Sequence, residues 1–133
     1  VANKEAIGTL LLRVVLGVIF IGHGSDKFLG GIENIAGWFA SIGLPGFLAY
    51  IVAGLEVVGG AALILGLGTR VFGGLFVLLL LGAILKVQLA AGFIGGYAYD
   101  LALLAISAYL LLTGSKRYSL DSILFKSKKE AFN

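Results

Sequence analysis

The chain has 133 residues, of which 59% are hydrophobic and only 13% charged, with a net charge of +3. Charged residues make up about a quarter of an ordinary soluble domain, so this composition, with a mean hydropathy of +1.06, excludes a soluble globular fold and predicts an all-α integral membrane protein. The length suits a single domain over residues 1–133 and leaves no room for a separate soluble catalytic module. Cysteine is absent and there is one histidine, which excludes thiolate metal sites, dithiol redox centres, disulfides and internal bis-histidine haem ligation.

Four apolar stretches follow one another, over about residues 6–24, 47–67, 71–91 and 97–113. Each approaches the ~20 residues that cross a hydrocarbon core of about 30 Å, the fourth with help from its flanks. A chain beginning at Val1 is expected to have lost its initiator Met. The first stretch lacks a small-residue cleavage site and is read as a retained span. Between spans 1 and 2, Ile32, Ile35, Ala36, Phe39 and Ile42 fall at helical spacing beside Trp38. They predict a short amphipathic helix lying in the interface, ended by Gly43-Leu44-Pro45-Gly46. Gly66-Leu67-Gly68-Thr69-Arg70 is a tight turn that makes spans 2 and 3 antiparallel neighbours, and the whole reads as a four-helix bundle. Many of the 21 glycines lie inside spans, and Ala49/Ala53, Ala62/Gly66 and Ala98/Ala102 have the small-xxx-small spacing of close helix packing in lipid.

Cations set the orientation. Lys4, Arg70, Lys116, Arg117, Lys126, Lys128 and Lys129 fall in the amino-terminal flank, the loop between spans 2 and 3, or the tail 114–133, all on one side of a four-span chain. Little but Lys27 and Lys86 lies toward the other. The positive-inside rule places both termini in the cytoplasm. The basic tail then suits contact with anionic membrane lipids rather than nucleic acid.

Charge is costly inside lipid, so the few ionisable residues in the spans are the candidate site. By rise per residue, Arg13 and Glu56 lie about 11 and 16 Å from the face carrying the termini, and an Arg13–Glu56 ion pair is the expectation. His23, Lys86 and Asp100, from three spans, come out at roughly 24 to 26 Å, near Lys27, Gln88, Tyr97 and Tyr99, with Trp38 placed to cover the opening. A cation, a general base and a proton carrier beside a lipid-accessible cavity suit the binding and protonation of a quinone carbonyl. His23, Lys86 and Asp100 are therefore the candidate catalytic residues. Arg13, Glu56, Lys27, Tyr99 and Trp38 are the candidate substrate-binding residues. Arg13, Gly17, Phe20, Gly24 and Lys27 form one stripe along span 1 that joins the two layers. No pair has the Glu-x-x-His spacing of bundle metal sites, so no metal is expected.

Taken together, Arg13-x-x-x-Gly17-x-x-Phe20-x-x-His23-Gly24-x-x-Lys27, Glu56-x-x-Gly59-Gly60, the turn Gly66 to Arg70, Tyr99-Asp100-Leu101 and Ser119-Leu120-Asp121 resemble the DoxX family of small four-helix bacterial membrane proteins. Asp100 stands where that family also commonly has glutamate. The family includes relatives of the membrane subunit of thiosulfate:quinone oxidoreductase and proteins of catechol or quinone resistance. The resemblance implies a quinone-linked role in the bacterial cytoplasmic membrane, with quinone as cofactor. A soluble or membrane redox partner, and further copies of the chain in an oligomer, are the expected protein partners, since the sequence carries no haem or flavin motif of its own. The alternatives are a small-solute transporter or channel and a non-catalytic assembly subunit. If the termini face the cytoplasm, an impermeant thiol reagent applied to intact cells is expected to label a cysteine placed at position 94 and to spare one at position 69.

Overall fold

A computed structural model of the chain describes residues 4–116 and 118–124; Arg117, Lys126, Lys128 and Lys129 of the basic tail lie outside the described residues. The helices are α1 (Lys4–Leu29), α2 (Ile32–Ser41), α3 (Phe47–Leu65), α4 (Thr69–Lys86), α5 (Ala98–Thr113) and α6 (Leu120–Leu124). α1, α3, α4 and the segment Phe93–Thr113 are long and apolar enough to cross a membrane. The all-α four-span bundle read from composition is the fold observed, with α2 as the short helix between the first two spans.

Two boundaries differ by five residues from those read in the sequence. α1 continues beyond Gly24 to Leu29, because hydropathy marks where lipid ends, whereas the helical hydrogen bonds run on through Ser25, Asp26 and Lys27. α4 stops at Lys86 rather than 91. Val87 leaves the helical region, Gln88–Ala91 forms a 3-10 turn, and Gly92 and Gly95 take φ of 85° and 74°, a region that glycine enters without a Cβ clash. α5 alone covers about 24 Å at 1.5 Å per residue, and the irregular turn Phe93–Tyr97 completes its span.

α1 lies along α3, and α4 along α5; α1 meets α5, and α3 meets α4, over much smaller areas. The tight turn thus joins α3 to α4, whose Phe72 and Phe76 approach Gly59 of α3, but each finds its main partner elsewhere. Missing side chains explain this choice. A Cβ added to Gly17 would lie 2.5 Å from the Gly60 carbonyl oxygen, and one on Gly60 would lie 2.6 Å from that of Gly17. On the other pair, a Cβ on Gly73 would come 2.9 Å from the Leu111 amide nitrogen. Such backbone approaches maximise dispersion contact, the main attraction left between helices in lipid. Ala49, Ala53 and Ala62 are buried as their spacing suggests. Ala98/Ala102 forms no such seam: Ala102 is exposed, and α5 instead turns Leu103, Ser107 and Leu110 inward. The Phe20 and Phe76 rings stack 3.8 Å apart and link the two helix pairs.

At the face that carries the termini, residues far apart in sequence form one clasp. Gly66 ends α3 with φ 74°, and a Cβ there would meet Ser119. The Gly68 and Thr69 amides donate to the Asp121 carboxylate at 2.9 and 3.2 Å. Asp121 therefore acts as a remote cap for the start of α4, where free N–H groups and the helix dipole favour an anion. Ser115 also donates to Asp121, and its hydroxyl meets that of Thr69. Thr69 is fully buried, so a cysteine at position 69 would report burial rather than sidedness; exposed Ile123 on the same face is the better comparison for position 94.

The α1–α3 crossing yields a direct test. Gly60→Ala forces a methyl against backbone and is expected to destabilise by about 1–3 kcal/mol, read as a lower midpoint of thermal unfolding in detergent. Gly54→Ala meets nothing within 4 Å and is expected to be neutral or to gain up to about 1 kcal/mol from helix propensity.

Candidate functional site

Because α3 and α4 touch over a small area, with Phe72 and Phe76 against Gly59, a cavity of about 930 Å³ opens between the two helix pairs. α1 contributes Phe20, His23 and Lys27 to its wall, α5 contributes Tyr99, Asp100 and Leu103, and α4 contributes Lys86. α3 adds Ile51, Leu55 and Glu56, while Trp38, Phe39 and Ile42 of α2 and its following turn lie along the remaining edge. Thus His23, Lys86 and Asp100 line one cavity with Lys27, Glu56, Tyr99 and Trp38. Arg13 does not line it.

The expected Arg13–Glu56 pair is not formed. Arg13 is fully buried and donates through Nε to the Leu63 carbonyl at 2.9 Å and through Nη2 to those of Ile64 and Tyr118 at 3.1 and 3.0 Å. It satisfies the carbonyl end of α3 and pins the segment that carries Asp121. Its Nη1 has no hydrogen-bond partner among the described residues. Glu56 instead accepts from Lys27 Nζ at 2.6 Å, the one ion pair among the described residues. Side-chain direction explains the exchange. Every Cα–Cβ bond leans toward its helix N-terminus, and α1 and α3 run in opposite senses, so Arg13 leans toward the termini face and Glu56 away from it. Lys27, near the end of α1, leans back to meet Glu56. Depth alone, counted along straight helices, ignored this lean.

The groups in the cavity are unequally satisfied. Glu56 is 4% exposed and held by its ion pair. Lys86 reaches across toward the turn after α2, its Nζ 4.0 Å from where a Cβ on Gly43 would stand, and makes no ion pair with Asp100. His23 and Tyr99 set their rings 6.0 Å apart. His23 and Lys27 lie within electrostatic reach of Asp100. The arrangement offers two ammonium groups, an imidazole, a phenol, two carboxylates and the Gln88 amide around space walled otherwise by mostly apolar side chains. The sequence reading did not find those apolar walls, because on α4 cavity-facing and lipid-facing positions are both leucine.

Four membrane-crossing segments around a cavity with a polar end define a small multi-pass membrane protein. The chain belongs to the DoxX family, whose model matches residues 8–89. It is 50% identical over 128 residues, 96% of this chain and 95% of the other, to CatD of Bacillus subtilis (strain 168), provisionally named an oxidoreductase. It is 33% identical to the uncharacterized membrane protein Rv3486 of Mycobacterium tuberculosis (strain ATCC 25618 / H37Rv), with 88% of this chain and 81% of that protein aligned. It is 32% identical to the inner membrane protein YqjF of Escherichia coli (strain K12), over 92% and 95% of the two chains. No solved structure matches the chain.

The re-paired charges are separable by double-mutant cycles on thermal stability. Lys27→Met and Glu56→Gln are expected to couple by about 1–3 kcal/mol, and Arg13→Met and Glu56→Gln to add within about 0.5 kcal/mol. Arg13→Met alone removes the guanidinium hydrogen bonds to the Ile64 and Tyr118 carbonyls and one of the two donors to the Leu63 carbonyl, and is expected to be the most damaging single change, at about 3 kcal/mol or more.

Proposed function

We propose that the cavity binds a quinone and that the protein is a quinone-linked membrane component of an oxidoreductase or quinone-detoxifying system. The observation that carries this reading is the convergence of Lys86, His23, Asp100 and the Lys27–Glu56 pair at one end of an otherwise apolar cavity. A few polar groups that fix orientation within hydrophobic walls are the usual form of a small-molecule site, and a flat ring with two carbonyl acceptors suits ammonium donors. The provisional naming of CatD as an oxidoreductase agrees with it.

In this reading Lys86, free of an ion pair, donates a hydrogen bond to one quinone oxygen, and Lys27 is steadied by Glu56 beside the ring. Asp100 and His23 carry protons to the oxygens as they gain charge. Reduction of a quinone to a quinol takes up two electrons and two protons. The electrons come from a partner protein or a diffusible reductant, and the cavity supplies the protons and holds the ring. Lys4, Arg70 and Lys116 lie on the termini face, which supports placing both termini in the cytoplasm of a bacterial cell, with the polar end of the cavity toward the outer side of the cytoplasmic membrane.

Trp38, the chain's one tryptophan, lines the cavity, so its fluorescence reports occupancy. Titration of a short-chain benzoquinone into the purified protein is expected to quench Trp38 saturably. Lys86→Ala and Asp100→Ala are each expected to weaken binding about tenfold at unchanged expression (about 1.4 kcal/mol). His23→Ala is expected to leave affinity nearly unchanged and to alter the pH dependence of proton-coupled turnover. Unchanged affinity in both the Lys86 and Asp100 variants would remove this site.

A further inference from the structure

The polar groups occupy one end of the cavity, yet the cavity continues far beyond them. Along α4 its wall extends from Lys86 to Leu75, about 16 Å at 1.5 Å per residue. The volume of about 930 Å³ lies near the top of the range of about 300–1,000 Å³ that holds drug-sized ligands, more than one ring requires. Hydrocarbon lines this side of the cavity: Ile51 and Leu55 on α3, beside the polar groups, and Leu75 and Leu78 on α4, toward the termini face. Ile51 and Leu78 are also 55% and 68% exposed, so this wall is the rim of a slot on the flank of the bundle, between two helices that touch over a small area. In a membrane that flank faces acyl chains, and an apolar slot open to them admits a hydrocarbon tail without exposing it to water.

Gly82 sits on this wall. It lines the cavity, and a Cβ built there meets nothing within 4 Å, unlike Gly17, Gly60 and Gly73, where the missing side chain permits helix contact. Packing therefore does not account for a glycine in the interior of α4, where it costs about 1 kcal/mol against alanine. Gly8, Gly22 and Gly54 are as open within their helices, and of these glycines Gly82 alone lines the cavity. A side chain at position 82 would lean toward the start of α4, over Leu78 and away from Lys86.

Resting on the quinone reading above, we infer that the ligand is a long-tailed, membrane-dissolved quinone rather than a water-soluble one, its tail lying between α3 and α4, with Gly82 the residue that keeps the tail slot open. Gly82 is a specificity determinant: it selects for the tail and leaves the ring site untouched.

The test uses the full chain in one detergent, with Trp38 quenching by two probes, a tail-less dimethoxy-methyl-benzoquinone and its decyl homologue. Wild type is expected to bind the decyl probe at least tenfold more tightly. Gly82→Leu is expected to erase most of that preference while binding the tail-less probe within twofold of wild type, and Gly82→Ala to lie between. The constant micelle cancels tail partitioning when variants are compared, and thermal unfolding checks that each variant is folded; should Gly82→Leu not fold, the graded loss in Gly82→Ala carries the comparison. A decyl preference that survives at position 82 overturns the tail slot while leaving the ring site standing, and equal losses for both probes overturn Gly82 as a tail determinant. Failure of both probes to bind wild type overturns the quinone reading and this inference together.

Discussion

One buried guanidinium ties the bundle together at the face that carries the termini. Arg13 joins α1 to the last carbonyls of α3 and to Tyr118, and the segment so held delivers Asp121 to the first amides of α4. In hydrocarbon the open ends of helices have no water to satisfy them, so a side chain that closes several carbonyls at once anchors the helices there. Tyr118 takes a left-handed φ of 61°, which costs a non-glycine residue about 1–2 kcal/mol; its hydrogen bond to Arg13 helps to offset that cost.

Closure at one end is what permits opening at the other. α3 and α4 are joined by a turn under the clasp, but the glycine approaches commit α3 to α1 and α4 to α5. The two pairs meet through the stacked Phe20 and Phe76, through Phe72 and Phe76 against Gly59 and through the Thr9–Tyr109 hydrogen bond, and elsewhere they part around the cavity. The Lys27–Glu56 pair braces α1 against α3 within its wall. The same close packing that holds the bundle in lipid therefore leaves a defined space beside it, with ionisable residues of all four spans in its wall.

Motif residues divide by this geometry into two groups with different work. Arg13, the turn Gly66 to Arg70 and Ser119-Leu120-Asp121 meet at the clasp, and the hydrogen bonds among them account for their presence as structure. His23, Lys27, Glu56, Tyr99 and Asp100 meet at the cavity, where every span supplies a polar group and α3 and α4 supply most of the apolar wall. Arg13 and Lys27 lie on one stripe of α1, yet they serve opposite ends of the molecule.

The sequence by itself determined the class of fold. Hydropathy with few charges specifies spans, and glycine-rich turns specify where the chain reverses, because both are local properties of the chain in contact with lipid or water. It also singled out the ionisable residues, since charge within an apolar stretch is conspicuous whatever it touches. Pairing was decided only in three dimensions. Equal depth suggested Arg13 with Glu56, but side chains on antiparallel helices lean in opposite directions, and Lys27 took the carboxylate. The end of α4 at Lys86, the choice of α1 rather than α4 as the main partner of α3, and the slot beside Gly82 were likewise beyond the sequence. Leucines facing a cavity and leucines facing lipid are alike in one dimension, and only the packing of the helices separates them.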